Sequence, residues 1–222
     1  KIYGKIYIKN INGILAVSEL AIKQFTAIGA TEKQIYPFGY FVPKQIFKKI
    51  KKNNNNLLNV IFVGSLIHRK GIDYLCKVVD KLNSSEIVLK LDIYGPGNPN
   101  IFNSKNKGIN YCGTIPFGQS QKVMSSYDLS IFPSRHDGWG VVVNESILAG
   151  VPVLCSNSMG AKCLVEKFGC GEVFSLKNND LYNKLTSIIN DNEKLKIMSK
   201  KTLTAQSYLE PKLAADYIFD II

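Results

Sequence analysis

Two carboxylates eight positions apart, Asp137 and Glu145, bracket a turn of glycine, aromatic and glycine, Gly138-Trp139-Gly140, that runs into Val141 and an apolar stretch ending at Ala149. The turn follows the apolar run Leu129-Ser130-Ile131-Phe132 and is closed by Gly150 and Val151-Pro152. This pattern reads as a strand, a glycine loop and a helix that opens with no side chains in the way. Free amide hydrogens and the positive end of the helix macrodipole then suit a phosphate group. With Asp137 in the loop and Glu145 more than a turn into the helix, acceptors for hydroxyl groups flank that anion on both sides. The fitting ligand is a diphosphate carrying polyols at both ends.

A second constellation lies upstream. Val60-Ile61-Phe62-Val63-Gly64 reads as a strand entering a glycine turn, and Ser65 to Lys70 as the loop that hands over to a helix starting at Gly71. Arg69 and Lys70 sit at that handover, where cations oppose the macrodipole by roughly 0.3–1 kcal/mol. An external anion gives them a reason to be there. Two positive side chains can neutralise a departing diphosphate without a divalent metal, so no metal or other cofactor is expected. His68 and His136 are lesser candidates beside these loops, as are Ser134 and Arg135 at the end of the 129–132 strand. Leu91 to Gly97 and Ile109 to Pro116 are further strand-and-turn segments at the expected ligand edge of the sheet.

Together these segments resemble the retaining glycosyltransferases of family 4 (group 1), in which an acidic residue, seven intervening residues and a glutamate close the site for a nucleotide-sugar donor. This chain has Asp137 where that family usually has Glu. Gly64 to Gly71 resembles the family's "Gly, Arg, Leu, a few residues, Lys, Gly" segment, with Lys70 on the phosphate-contacting lysine and Ser65 where many members carry Arg. Asn157-Ser158-Met159-Gly160 resembles the loop after the next strand, where two glycines are usual and only Gly160 remains. The resemblance implies that Glu145 takes the ribose hydroxyls and Asp137 those of the transferred sugar. It also implies that Lys70, Arg69 and the amides of Gly138, Trp139, Gly140 and Val141 hold the diphosphate, and that the backbone at Gly113 and Ile115 holds the nucleobase. Packing is a competing role for Trp139. The implied reaction moves a sugar from a nucleoside diphosphate to a glycan or lipid-linked acceptor, with retention at the anomeric carbon. Two other classes remain open: a nucleotide-sugar epimerase of the same architecture, and a binding module without activity.

Of the 222 residues, 45% are hydrophobic, enough to bury a core. No run approaches the ~20 apolar residues that span a bilayer, and no charged-then-apolar leader opens the chain. A cytoplasmic protein is expected. Five cysteines without a CxxC pair read as buried free thiols rather than disulfides or a zinc site. The net charge of +11 favours an anionic partner. Its lysines are dispersed and no aromatic stripe alternates with them, which argues against nucleic acid. Peripheral attraction to an acidic membrane surface is the better expectation, since lipid-linked acceptors lie there.

Strand-length apolar runs alternate with segments of helical period, which predicts a Rossmann-like, doubly wound α/β fold with a parallel sheet. The expected strands are 13–17, 34–38, 59–63, 87–94, 109–112, 129–132, 151–155 and 172–174. After Phe174 the pattern is helical only, over 180–190, 192–208 and a last helix after Pro211, a residue suited to a first turn. The Lys- and Asn-rich stretch 44–56 is the expected linker. Residues 57–205 read as one Rossmann-like unit, which the resemblance makes the donor-binding domain, with a C-terminal helix over 206–222. Residues 1–43, a strand, helix and strand, read as the closing piece of an acceptor domain. In the family resembled, two such domains face each other across a cleft (the GT-B fold) and the last helix returns to the first. The remainder of the acceptor domain is expected to lie outside these residues.

Overall fold

The chain alternates strand and helix along its described residues, 6–8, 10–48, 57–102 and 104–221 of a computed structural model. The strands are β1 (Ile14–Val17), β2 (Ile35–Phe38), β3 (Leu58–Val63), β4 (Leu89–Tyr94), β5 (Ile109–Tyr111), β6 (Leu129–Phe132), β7 (Val153–Ser156) and β8 (Gly171–Phe174). The helices between and after them are α1 (Glu19–Ala27), α2 (Ile72–Leu82), α3 (Ser120–Met124), α4 (Val141–Leu148), α5 (Lys162–Phe168), α6 (Asp180–Asn190), α7 (Asn192–Gln206) and α8 (Pro211–Ile221). None is long and apolar enough to cross a membrane.

Strands β3 to β8 form one sheet in the order β5-β4-β3-β6-β7-β8, with every pair parallel. Strands β1 and β2 make a separate parallel pair. Successive side chains of a strand point to opposite faces, and β3 shows the result. Val60 and Phe62 join Ile72 and Leu75 of α2 and Leu185 of α6, whereas Ile61 joins Val143 and Ile147 of α4 and Val165 of α5. With helices on both faces, β6 and β7 are buried at every position. That double burial is why parallel strands read as unbroken apolar runs. Strand order reverses between β3 and β6, and in a doubly wound sheet the ligand crevice lies outside the carboxyl ends of the strands at that point.

Some boundaries differ from expectation for local reasons. Helix α2 begins at Ile72, because Gly71 takes a left-handed conformation, φ 72°, that closes a short 3-10 turn over His68–Lys70. Strand β7 begins at Val153: Pro152 has no N–H to give a ladder, and the Val151 amide turns back to the Ser146 carbonyl. The helix expected to reach Tyr208 stops at Gln206 and tightens into a 3-10 turn, Ser207–Leu209. Cys76, Cys155 and Cys170 are buried free thiols, but Cys112, just past β5, is exposed.

The β1–α1–β2 segment leans on the six-stranded unit. Phe38 stacks on Tyr217 of α8 with ring centroids 6.3 Å apart. Beyond it, Gln121 donates to the Pro43 carbonyl and accepts from the Gln45 amide, both at 2.9 Å. Of the expected linker, residues 49–56 lie outside the described residues.

Candidate functional site

Two loops leave the sheet where its strand order reverses, Gly64 to Gly71 after β3 and Pro133 to Gly140 after β6, and each holds the other. The Arg135 amide donates to the Arg69 carbonyl at 2.8 Å, and the Arg69 guanidinium returns a bond to the His136 carbonyl at 2.9 Å. Arg135 also donates to the His68 carbonyl and grips both carboxylate oxygens of Asp73 on α2, at 2.7 and 2.8 Å. Burial alone would raise the Asp73 carboxyl, but the hydrogen bonds and charge of Arg135, with His68 nearby, hold it below the ordinary carboxylate value. Contact is closest at Gly71, where a Cβ would lie 1.9 Å from the Pro133 carbonyl oxygen.

This bracing brings Lys70 to Asp137. Lys70 Nζ lies 2.6 Å from Asp137 Oδ2, with the two side chains only 19% and 13% exposed. The Asp137 backbone is fixed from the other side: its amide donates to the Ser158 carbonyl and its carbonyl accepts from the Gly160 amide, each at 3.1 Å. Gly160 must be glycine for this approach, since a Cβ would stand 2.1 Å from the Gly138 carbonyl oxygen. Helix α4 then starts at Val141, so the amides of Val141 and Val142 have no acceptor within the helix, while that of Val143 donates to the Gly140 carbonyl at 2.9 Å. Lys70, Asp137 and residues 138–142 line one cleft of about 510 Å³, which Val17 and Tyr40 border from the N-terminal segment.

A second cleft, about 670 Å³, lies on the other side of Val141, which lines both. Gly64, Ser65, Thr114, Ile115, Ser120 and Glu145 contribute to its walls. Ser120 Oγ donates to Glu145 Oε1 at 2.6 Å. Burial pushes the Glu145 carboxyl above the ordinary glutamate value, with the Ser120 hydrogen bond acting the other way. The two acidic residues thus stand in adjoining clefts on either side of the helix start. Gly113 borders neither; its carbonyl accepts from the Gly95 amide at 2.8 Å and sets the turn that carries Thr114 and Ile115.

The remaining candidates make contacts that hold the walls of these clefts. Trp139 is buried, donates from Nε1 to Asn144 Oδ1 at 2.8 Å and meets the Tyr40 ring edge-on. Asn144 in turn donates to the Tyr40 carbonyl at 2.8 Å. Ser134 is buried with its carbonyl accepting from Ser156, and His136 supplies the carbonyl that holds Arg69. Arg135 is paired with Asp73, and the His68 carbonyl accepts from the Gly71 amide and from Arg135 while its side chain stays exposed. Sequence reasoning did not single out Ser120, Asp73, Asn144 or Tyr40. Ser120, Asp73 and Tyr40 meet their partners through the tertiary fold, and only Asn144, a polar residue inside the apolar run 141–149 and five positions from Trp139, carried a local signal.

Known proteins resemble this chain in sequence and in fold. Residues 43–204 match the family model "Glycosyl transferases group 1". The chain is 29% identical over 148 residues to an uncharacterized 41.2 kDa protein in the cps region of Klebsiella pneumoniae, covering 64% of this chain and 40% of that protein. It is 26% identical over 162 residues to the putative teichuronic acid biosynthesis glycosyltransferase TuaC of Bacillus subtilis, covering 69% of this chain and 41% of TuaC. The chain thus spans about two fifths of the length of these curated relatives. Among solved structures, a variant of TarM from S. aureus in complex with fondaparinux, α-GlcNAc-glycerol and UDP superimposes with a TM-score of 0.80 at 18% identity, covering all of this chain and 46% of TarM. That likeness is one of fold, the Rossmann-like α/β fold of GT-B glycosyltransferases. With a family match over most of its length, the chain belongs to the group 1 glycosyl transferases.

Proposed function

We propose that this chain forms the donor half of a retaining, family 4 glycosyltransferase that transfers a sugar from a nucleoside diphosphate to a glycan or lipid-linked acceptor in cell-surface polysaccharide synthesis. Residues 57–205 bind the donor, 44–56 link them to the acceptor-side piece 1–43, and 206–222 return toward that piece. The observation that carries this reading is the Lys70–Asp137 pair at the open end of α4, with Glu145 in the adjoining cleft. The diphosphate lies against the amides of residues 138–141. Lys70 has three N–H donors, so it can bind a phosphate oxygen while it still holds Asp137. Arg69 adds a second charge at the rim. As the bond to the anomeric carbon breaks, negative charge gathers on the leaving diphosphate, and donors already aimed there stabilise it without reorganisation. Glu145 accepts hydrogen bonds from the ribose, and Asp137 from the transferred sugar. The acceptor hydroxyl approaches on the face that the diphosphate leaves.

The reported setting of relatives, a cps region and teichuronic acid biosynthesis, supports the polysaccharide context, and the UDP bound to TarM supports a nucleotide donor. The excess of positive charge favours work in the cytoplasm at an acidic membrane face. A saturation-transfer NMR screen of nucleoside diphosphates and their sugars tests the reading. Saturation should reach base, ribose and hexose protons of one nucleotide sugar. Signal confined to free hexoses, with none on any nucleotide, would refute it.

A further inference from the structure

Phe117 stands fully in water at the rim of the 670 Å³ cleft. It lies at a corner of a four-residue turn that the Gln119 amide closes on the Pro116 carbonyl at 3.1 Å, and the next corner, Gly118, is left-handed with φ 75°. Neither Gly113 nor Gly118 has anything within 4 Å of where a Cβ would stand, so the loop is unobstructed at both glycines. The residue that follows the turn is Ser120, whose hydroxyl holds Glu145. One short stretch of chain therefore carries both an exposed aromatic ring and the donor that fixes the cleft's carboxylate. Much of the remaining lining is apolar, with Val42, Pro43 and Ile115.

Given the nucleotide-sugar reading of this cleft, we infer that Phe117 is the stacking platform for the nucleobase. A ribose bonded to Glu145 leaves its base beside the Pro116–Gln119 turn. The flat face of that base covers a ring that otherwise remains in water. Every base has a π-face, so stacking adds affinity without choosing among bases. Selection between bases is left to the backbone of the neighbouring turn. Phe117 thus sets how strongly a nucleoside diphosphate is preferred to a bare diphosphate.

The test is calorimetric titration of the chain with UDP, GDP, ADP and inorganic pyrophosphate, repeated on Phe117→Ala and Phe117→Tyr. Phe117→Ala should weaken each nucleoside diphosphate that binds by about tenfold or more, keep their order of affinity and leave pyrophosphate unchanged. Phe117→Tyr should restore the parent affinities. Because the ring is exposed, the melting temperature should not move, so a loss of binding cannot be a loss of fold. Unchanged nucleotide affinity in Phe117→Ala, or an equal loss for pyrophosphate, overturns the stacking role. If Glu145→Ala still weakens nucleotide binding in that case, the donor site survives. If Lys70→Ala and Glu145→Ala are also without effect, or the parent chain binds none of the three nucleotides, both readings fall together.

Discussion

Lys70 Nζ and Asp137 Oδ2, 67 positions apart in sequence, meet at 2.6 Å where two loops converge on the start of α4. The pair is mostly buried, so each partner lowers the cost of keeping the other charged in a poorly solvated place. It also leaves Lys70 aimed at the helix end rather than at bulk water.

Asp137→Asn separates the roles of this pair. The ammonium loses its charged partner, so a nucleoside diphosphate should bind as well as before or better. A nucleoside diphosphate sugar should lose about 1.5–3 kcal/mol, the cost of one hydrogen bond to a charged acceptor. Titration of UDP against UDP-glucose, or of the corresponding pair for whichever base binds, reads the difference. Equal change in both would remove Asp137 from the sugar.

Glu145 gives a pH signature. Its carboxyl is raised in the fold by burial, against the Ser120 hydrogen bond. The native state therefore holds its proton more tightly than the unfolded chain does, and this residue's contribution to stability falls as pH rises from the unfolded value through the folded one. Glu145→Gln should accordingly raise the melting temperature at neutral pH, by about 2–4 °C for each kcal/mol of charge burial relieved. The same substitution should weaken nucleotide binding about tenfold. A variant that melts lower and binds as well as the parent would contradict both statements.

The Arg135–Asp73 brace has the opposite sign. Arg135 holds the Asp73 carboxyl below its ordinary value despite burial, so the stability it lends is present above the unfolded pKa and is lost as pH falls through the folded one. Arg135→Ala should cost on the order of 1 kcal/mol at pH 7, because the pair is partly exposed. Urea unfolding at pH 7 and near pH 3 should show the gap between parent and variant closing in acid. A gap that widens there would exclude the ion pair as its source.

Gly71→Ala tests the loop contact. The left-handed φ of 72° disfavours alanine, and its Cβ would lie 1.9 Å from the Pro133 carbonyl oxygen. Conformational strain of about 1–3 kcal/mol adds to that clash. Stability and nucleotide binding should fall together, since Lys70 is the preceding residue. Gly113→Ala meets open space and should show only the backbone effect. Similar losses in the two variants would make the Pro133 contact irrelevant.

The strands were legible because a sheet covered on both faces demands unbroken apolar runs, and Leu129-Ser130-Ile131-Phe132 matches β6 residue for residue. The acidic pair and glycine turn were legible as local spacing. Their supports were not. Ser120 and Glu145 are 25 positions apart, and Asn144 and the Tyr40 carbonyl 104, so nothing in either neighbourhood announces the partner. Gly71 read as a helix start, but its left-handed φ first closes a 3-10 turn, and the Pro133 carbonyl packed against it is brought near only by the fold. Arg135 read as a site cation for the same reason: Asp73, its partner, lies 62 positions away.

In the proposed site, the opening of α4 holds a nucleoside diphosphate with Lys70 at its phosphates and Glu145 at its ribose. Isothermal titration of the tightest-binding nucleoside diphosphate against the parent chain, Lys70→Ala and Glu145→Ala measures it most directly, with melting curves to confirm that each variant is folded. Each variant should lose about ten- to hundredfold in affinity, Lys70→Ala also for inorganic pyrophosphate and Glu145→Ala only for the nucleotide. Parent-like affinity in both folded variants would contradict the claim.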